Sequence, residues 1–184
     1  MGGATSPAAP CLSVCLLPLL FLFLHGCWSC VAIERERTLA MIKPDGLSGN
    51  YTERIKEVIL ESGFDIVKEA VVQLDAERAS LFYAEHSGRS FFDSLVKYMT
   101  SGPVLVMILE RPDAISHWRV LIGPTDARKA KISNPNSIRA MCGVDSEKNC
   151  VHGSDSPQSA AREISFFFGD VRSDNADTVE HDEL

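Results

Sequence analysis

Charged side chains are absent from the first 32 residues, which contain no Lys, Arg, Asp or Glu. Within this segment, Cys11–Leu24 is an apolar run of 14 residues, which is short for a membrane span and typical of a secretory signal. Small residues at Cys30-Val31-Ala32 follow it and provide a cleavage position. We therefore predict a signal peptide over residues 1–32. An uncleaved signal anchor is the alternative, because apolar character continues to Ile33.

Cysteine is scarce after the predicted signal. Of six cysteines, four lie within residues 1–32, and only Cys142 and Cys150 follow. Two cysteines do not form a disulfide framework, which excludes a small fold stapled by several bridges. We expect both to be small buried thiols. A single bridge, which an oxidising compartment would permit, is the alternative.

The net charge of −7 lies entirely after residue 32, and it argues against non-specific binding to nucleic acid. The chain ends in HDEL (His181–Leu184), which is the sequence of an endoplasmic reticulum retrieval signal and predicts an HDEL-type retrieval receptor as a partner. Residues 171–184 are otherwise too polar to bury, so we predict a disordered acidic tail. Together the two termini predict the endoplasmic reticulum lumen. In that compartment Asn50-Tyr51-Thr52 is an acceptor for N-glycosylation.

Helical and strand patterns alternate over residues 33–170, without an internal repeat, and predict a single domain there. Apolar, β-branched runs predict strands at 38–42, 64–74 and 104–109, and Lys43–Gly46 is a turn signal. Helices are predicted at 50–62 capped by Asn50, at 75–86, at 91–99, at 112–120 and from Ser156 onward, with 123–149 irregular. Because the connections are short, a compact α+β sandwich fits better than a doubly wound sheet.

The segment NCVHGSDS, residues 149–156, places His152 before a glycine. A histidine can attack a phosphoryl group and hold it covalently, if other groups fix its tautomer, neutralise the phosphate and stack on a base. The chain offers an orienting carboxylate, three cations, an aromatic surface and a glycine for close approach: Glu163; Lys43, Arg119 and Arg139; Phe91; and Gly153. Taken singly, each residue is more often structural or solvated.

Longer motifs decide between these readings. NCVHGSDS resembles the signature of nucleoside diphosphate kinases, and TLAMIKPDG, RSFFDSLVKYMTSGPVLVMILE and the Ser-Ala-x-x-Glu-Ile helix resemble that family in the same order, over residues 37–170. The resemblance implies a ferredoxin-like βαββαβ fold, with a four-stranded antiparallel sheet covered by helices. It also implies ping-pong transfer of a terminal phosphate between ATP and other nucleoside di- and triphosphates, with Mg²⁺ bound through the nucleotide phosphates.

The resemblance also implies roles for single residues. It implies a nucleotide site made of Lys43, Phe91, Leu95, Arg119, Thr125, Arg139 and Asn149. It implies a catalytic group made of the nucleophile His152 with Lys43, Tyr83, Ser154 and Glu163. Tyr83 would pack and hydrogen-bond beside the histidine, and Ser154 and Glu163 would orient it. Phe91 would stack on the base without reading its hydrogen bonds, so every base would be accepted.

Two segments depart from the hexameric members of that family. The segment 126–138 is longer, and an acidic tail replaces the usual extension after Gly169. This pattern resembles the divergent group II branch and predicts a homo-oligomer smaller than a hexamer. Two other functions stay open: a catalytically weak or inactive nucleotide-binding scaffold, and a relay that phosphorylates proteins. The complete set of site residues favours the kinase.

Overall fold

A computed structural model describes Gly2 and residues 34–169. The predicted signal, its cleavage position and the HDEL tail lie outside the described residues. The strands are β1 (Glu36–Ile42), β2 (Asp65–Val72), β3 (Val104–Arg111) and β4 (Val151–Gly153). The α-helices are α1 (Pro44–Ser48), α2 (Thr52–Glu61), α3 (Ala76–Phe82), α4 (Phe92–Met99), α5 (Ala114–Ile122), α6 (Ala127–Ser133), α7 (Ile138–Cys142) and α8 (Pro157–Phe168). None of the helices in this part of the chain is long and apolar enough to span a bilayer.

The four strands form one antiparallel sheet in the order β2-β3-β1-β4. The two central strands are continuous apolar runs, and Leu39–Ile42 and Val104–Leu109 are buried throughout. Such runs are expected where helices cover both faces of a sheet. The arrangement confirms the predicted α+β fold of ferredoxin-like βαββαβ topology.

Alternation along the strands divides the core between the two faces of the sheet. On one face Ala40, Ile42 and Met107 pack with Trp118 of α5 and with Ile55 and Ile59 of α2. The other face carries a cluster built on α3, α4 and α8: Leu39, Met41, Phe82, Leu95 and Ile164 are among its members. Neighbouring strand residues therefore serve opposite cores, as the period of two requires.

The strand predictions at 38–42, 64–74 and 104–109 are confirmed by β1, β2 and β3. The short strand β4 was not predicted, because three residues are too few to show a period. Pairing with β1 holds it in place, and His152 lies opposite Met41. A tertiary contact therefore decides the conformation of the segment that carries the candidate nucleophile.

Several helix boundaries differ from the prediction. The predicted turn at Lys43–Gly46 instead opens α1, with Pro44 in its first turn, where the missing N–H costs nothing. Asn50 does not cap α2; its φ is 60°, and Thr52 is the first helical residue. The helix predicted at 112–120 starts later, at Ala114, because Asp113 adopts a left-handed φ of 51°.

The helix predicted over 75–86 is divided in two. Asp75 caps α3 by accepting a hydrogen bond from the amide of Arg78 at 2.8 Å, as expected. The helix ends at Phe82, and a 3₁₀ turn at Ala84–His86 follows. This change places Tyr83 at the junction, with its side chain turned into the core.

The prediction that 123–149 is irregular is wrong in part. It contains α6 and α7, of seven and five residues, which are too short to show a helical period. Asp126 caps the first by accepting from Arg128, and Ser137 caps the second by accepting from Ala140. The predicted last helix is confirmed as α8, which a capping box between Ser156 and Ser159 begins.

Candidate active site

The backbone around His152 packs against Trp118 of α5. The indole Nε1 of Trp118 donates to the His152 carbonyl at 3.2 Å. The next residue has to be glycine, because a Cβ on Gly153 would lie 2.4 Å from the Trp118 ring. The sheet and α5 thus hold the backbone of His152, while its side chain stays 21% exposed toward the cavity.

A chain of hydrogen bonds orients the imidazole. His152 Nε2 lies 2.9 Å from Glu163 Oε2, and the Ser154 hydroxyl donates to the same oxygen at 2.8 Å. The Leu39 amide donates to Ser154 Oγ at 3.2 Å, which anchors the chain to the central strand. Because a carboxylate only accepts, Nε2 carries the hydrogen. The lone pair of the neutral ring is therefore on Nδ1, which has no hydrogen-bond partner among the described residues.

The charge state of Glu163 follows from these neighbours. Burial raises the pKa of the Glu163 carboxyl, but the hydrogen bond and charge of His152 and the hydroxyl of Ser154 outweigh it, and the pKa lies below its usual value. Glu163 is therefore an anion at neutral pH. An anion in this position keeps Nε2 protonated and stabilises positive charge on the ring.

Aromatic rings surround the imidazole on the side of α3. Phe82 and Tyr83 meet it edge-on, with centroids 5.4 and 6.2 Å away. The predicted packing of Tyr83 beside His152 is therefore present. The hydrogen bond expected there is not formed, since the buried Tyr83 hydroxyl has no partner among the described residues. Burial raises the pKa of Tyr83, and Glu163 adds to the effect, so the hydroxyl stays protonated and can donate.

Lys43 lies almost fully buried at the edge of the cavity. Its Nζ donates to Asn149 Oδ1 at 2.8 Å and to the Glu147 carbonyl at 3.3 Å. The Asn149 amide donates in turn to the carbonyl of Thr125 at 2.9 Å, which joins three predicted site residues. Burial lowers the Lys43 pKa to about 8, and the charge of Arg139 acts in the same direction.

Arg119 and Arg139 face the same space from α5 and α7. Arg119 donates to the Gly153 carbonyl at 3.3 Å, and Arg139 donates to the carbonyls of Gly123 and Val151 at 2.8 and 3.2 Å. Burial lowers the Arg139 pKa to about 10, and Arg119 contributes. Arg139 Nε is buried without a partner in the part of the chain described. Both guanidinium groups are thus held by neutral carbonyls and keep their charge for an anion.

The opposite end of the cavity is open and aromatic. Phe91, just before α4, is 47% exposed, which is unusual for a phenylalanine. Leu95 is buried one turn later, and His86 lies 5.7 Å from the Phe91 ring. A flat exposed ring beside an apolar floor suits a stacked base.

The cavity has a volume of about 470 Å³. It brings together all but one of the site residues predicted from sequence: Lys43, Tyr83, Phe91, Leu95, Arg119, Thr125, Arg139, Asn149, His152 and Glu163. Ser154 does not line the cavity, and its hydroxyl instead donates a hydrogen bond to Glu163. Five charged or titratable residues in the cavity wall were not predicted from the sequence: Glu85, His86, Glu147, Asp155 and Arg162. Only proximity to Tyr83, Asn149 and Glu163 in the chain could have signalled them.

Arg162 and Glu85 form an ion pair across the cavity wall. The other end of the same guanidinium lies 3.5 Å from Glu163 Oε1. The pair thereby links the turn after α3 to α8, beside the histidine. Because both side chains are about half exposed, its contribution to stability is small.

Cys142 and Cys150 are joined by a disulfide, with Cα atoms 6.0 Å apart. The expectation of two separate thiols is therefore wrong. Spacing in the sequence could not show that α7 ends directly beside the start of β4. The bond closes the loop that carries Asn149 and ties the helix bearing Arg139 to the strand bearing His152.

The donors of the cavity fit a nucleotide phosphate with its bound Mg²⁺. The cavity is lined by Lys43, Arg119 and Arg139 and by the orphaned Tyr83 hydroxyl, and among the described residues no group of three carboxylates, histidines or cysteines is placed to hold an ion directly. Such a set binds phosphate oxygens, and a hard cation would then be held mainly by those oxygens.

Comparison with known families and proteins agrees with this geometry. A family model described as nucleoside diphosphate kinase matches residues 36–172. The protein named probable nucleoside diphosphate kinase 5 of Arabidopsis thaliana is 69% identical over 144 residues, which are 78% of this chain and 100% of that protein. Nucleoside diphosphate kinase homolog 5 of Homo sapiens is 46% identical over 136 residues, 74% of this chain and 63% of that protein.

Solved structures are similar as well. The nucleoside diphosphate kinase of Aquifex aeolicus has a TM-score of 0.73 and 43% identity, and the match covers 75% of this chain and 98% of that one. The nucleoside diphosphate kinase of Encephalitozoon cuniculi has a TM-score of 0.70 and 36% identity, over 73% of this chain and 90% of that one. Fold and sequence therefore point to the same relatives.

Proposed function

The chain belongs to the nucleoside diphosphate kinase family, and on that premise we propose that it transfers the terminal phosphate of a nucleoside triphosphate to a nucleoside diphosphate through a phosphohistidine at His152. The observation that carries the proposal is the hydrogen-bonded chain of His152, Glu163 and Ser154. It leaves Nδ1 as the ring nitrogen with an available lone pair. An exposed imidazole beside a turn would need none of these partners.

In the first half-reaction, Nδ1 of His152 attacks the γ-phosphorus in line with the leaving oxygen. The Nδ1–P bond forms while the bond between the γ-phosphorus and the β,γ-bridging oxygen breaks, and the nucleoside diphosphate leaves. The ring gains positive charge as it loses its lone pair. The Glu163 anion stabilises that charge and keeps the hydrogen on Nε2.

The second half-reaction reverses these steps with another diphosphate. A terminal phosphate oxygen of the acceptor attacks phosphorus, the Nδ1–P bond breaks, and its electron pair returns to His152. Because donor and acceptor share one site, the same groups serve both directions. Lys43, Arg119 and Arg139 bind the phosphate oxygens, and the Tyr83 hydroxyl has the position and protonation state to donate to them. Mg²⁺, when bound with the nucleotide, neutralises phosphate charge.

The test is phosphate transfer by the purified chain. With ATP as donor and a series of other diphosphates as acceptors, we expect product formation with parallel lines in double-reciprocal plots, because the first product leaves before the second substrate binds. A chain that binds ATP but transfers nothing to any diphosphate would be a scaffold. Transfer to proteins without transfer to diphosphates would favour the relay.

We also propose that the protein resides in the lumen of the endoplasmic reticulum. The proposal rests on the sequence of the two termini, namely the apolar segment and HDEL. Removing residues 181–184 is expected to send the chain to the medium. Cytosolic accumulation of the truncated chain would contradict the proposed signal.

A homo-oligomer smaller than a hexamer is the assembly that we propose. The longer segment 126–138, which forms α6 and the turn before α7, and the acidic tail support the proposal. Light scattering of the purified protein measures the mass directly. A hexameric mass would overturn the proposal.

A further inference from the structure

Four carboxylates line the cavity among the residues that the structure describes, although the phosphates of a nucleotide are anions. Two of them pair with basic side chains, Glu163 with His152 and Glu85 with Arg162. Asp155 lies in the turn that begins α8, where its amide donates to Ser159 Oγ at 3.0 Å. Glu147 makes no ion pair with any described side chain. Its Oε2 accepts a hydrogen bond from the neutral Ser94 hydroxyl. The role of this carboxylate is therefore not explained by its neighbours.

Glu147 lies at the end of the cavity where a base would stack. Ser94, which holds it, is on α4 between Phe91 and Leu95. The hydrogen bond therefore joins the loop before β4 to the helix beside the aromatic plate. Phe91, Leu95 and Glu147 all line the same cavity.

The position of the carboxylate is fixed before any ligand binds. The Glu147 amide donates to Asp145 Oδ1 at 2.8 Å, and the Glu147 carbonyl accepts from Lys43 Nζ at 3.3 Å. With Ser94 on the side chain, both backbone and carboxylate are held. Oε1 has no hydrogen-bond partner in the described residues, and Oε2 keeps a second lone pair. The result is a pre-organised acceptor that costs little to position on binding.

We infer that Glu147 is a specificity-determining residue, whose carboxylate accepts hydrogen bonds from the N–H edge of a base stacked on Phe91 and makes guanine the preferred base. This inference rests on the proposed function for the identity of the ligand. It modifies the expectation from sequence that Phe91 alone holds the base and that all bases bind alike.

The chemistry of the bases predicts a ranking. Guanine presents N1–H and its amino group side by side, which matches the two oxygens of a carboxylate. Hypoxanthine presents N1–H alone. Adenine presents one amino group next to the N1 acceptor, whose lone pair repels the carboxylate. The expected order of affinity is GDP, then IDP, then ADP.

Calorimetric titration of the full chain with these three diphosphates tests the inference without requiring phosphate transfer. For the wild type we expect GDP to bind roughly tenfold more tightly than ADP, with IDP between them, as for one added charge-assisted hydrogen bond. In Glu147→Gln the three dissociation constants should converge, chiefly through weaker GDP binding. Glu61→Gln, an exposed carboxylate on α2, is the matched control and should keep the wild-type ranking.

Equal dissociation constants in the wild type, or an unchanged GDP preference in Glu147→Gln, would overturn the inference. If the loss with Glu147→Gln appears with GDP but not with 2′-deoxy-GDP, the carboxylate binds the sugar and the inference is wrong. Ser94→Ala keeps the charge but releases the carboxylate, so a reduced GDP preference is expected there. If GDP is preferred and no phosphate is transferred, the proposed function fails while this inference stands.

Discussion

The two ends of the cavity differ in how their side chains are held. At the nucleophile end, His152, Glu163 and Ser154 form one chain of hydrogen bonds that ends on the backbone of the central strand. At the base end, Phe91 is half exposed, and Glu147, which lines the same cavity, accepts a hydrogen bond from the neutral Ser94 hydroxyl. The nucleophile end therefore fixes the geometry of the reacting nitrogen, whereas the base end offers a half-exposed ring and a carboxylate that contribute to binding. Substitutions should accordingly change the rate at one end and affinity at the other.

Replacing the nucleophile should produce the largest effect. His152→Ala should abolish the phosphoenzyme, because no neighbouring side chain offers an equivalent nitrogen at that position. Binding of ATP should remain, since the phosphate cations and Phe91 are untouched. Incubation with γ-labelled ATP, followed by alkaline denaturing electrophoresis, measures the label. Label retained by this variant would place the nucleophile elsewhere.

Replacing the orienting carboxylate should slow the reaction without preventing it. Glu163→Gln keeps the shape of the side chain but removes the anion that holds Nε2–H and stabilises charge on the ring. We expect the rate of phosphoenzyme formation to fall roughly 10- to 100-fold, with nucleotide affinity little changed. Rapid-quench kinetics separates the two quantities. If nucleotide affinity fell by the same factor as the rate, Glu163 would act on nucleotide binding.

At the base end the largest expected effect is a loss of affinity. Phe91→Ala should weaken binding of every nucleoside diphosphate by about 1–3 kcal/mol, because the stacked ring is lost. The matched control is Phe91→Tyr, which keeps a plate and should restore affinity. Calorimetry measures the loss. A fall in the rate of phosphate transfer at saturating nucleotide would break the contrast between the two ends.

The smallest expected effect is a change of nucleotide affinity with pH. It arises from Lys43, which contacts both Asn149 and Glu147. Its pKa of about 8 lies below the ordinary 10.5, so the charge is present below pH 8 and is lost above it in the empty site. Nucleotide affinity should therefore fall severalfold between pH 7 and pH 9. Lys43→Arg keeps its charge and should flatten this profile.

The stability of the fold should change in the opposite direction over that range. Because the native protein releases the Lys43 proton before the unfolded chain does, the free energy of unfolding should rise between about pH 8 and pH 10.5. Thermal denaturation at several pH values measures it. If the free energy of unfolding instead falls over this pH range, the weaker nucleotide binding is caused by unfolding.

The nucleophile end was more predictable from sequence than the base end. The segment NCVHGSDS contains both the nucleophile His152 and its partner Ser154 within eight residues. Glu163 lies on a helix with a clear period and cap. Glu147 lies in a loop without a period, and its role depends on Ser94, which is 53 residues away in the sequence. Local patterns cannot report a contact over that separation.

Contacts between residues far apart in the sequence also explain which parts of the fold were predicted wrongly. The long strands β1 and β3 and the helix α8 have enough residues to show their periods, and they were predicted. Strand β4 has three residues, and the Cys142–Cys150 bond depends on where α7 ends in space. Both are decided by tertiary contacts. Asn50, chosen as a cap, adopts a positive φ instead, because asparagine also tolerates the left-handed conformation.

Glu163 holds Nε2 of His152 and leaves Nδ1 to attack phosphorus. Nuclear magnetic resonance of the ¹⁵N-histidine-labelled, ATP-phosphorylated chain, kept at alkaline pH to preserve the phosphohistidine, shows which ring nitrogen is bonded to phosphorus. We expect a phosphate on Nδ1 of His152 that is discharged when a nucleoside diphosphate is added. A phosphate on Nε2, or a chain that binds ATP and never becomes phosphorylated, would contradict it.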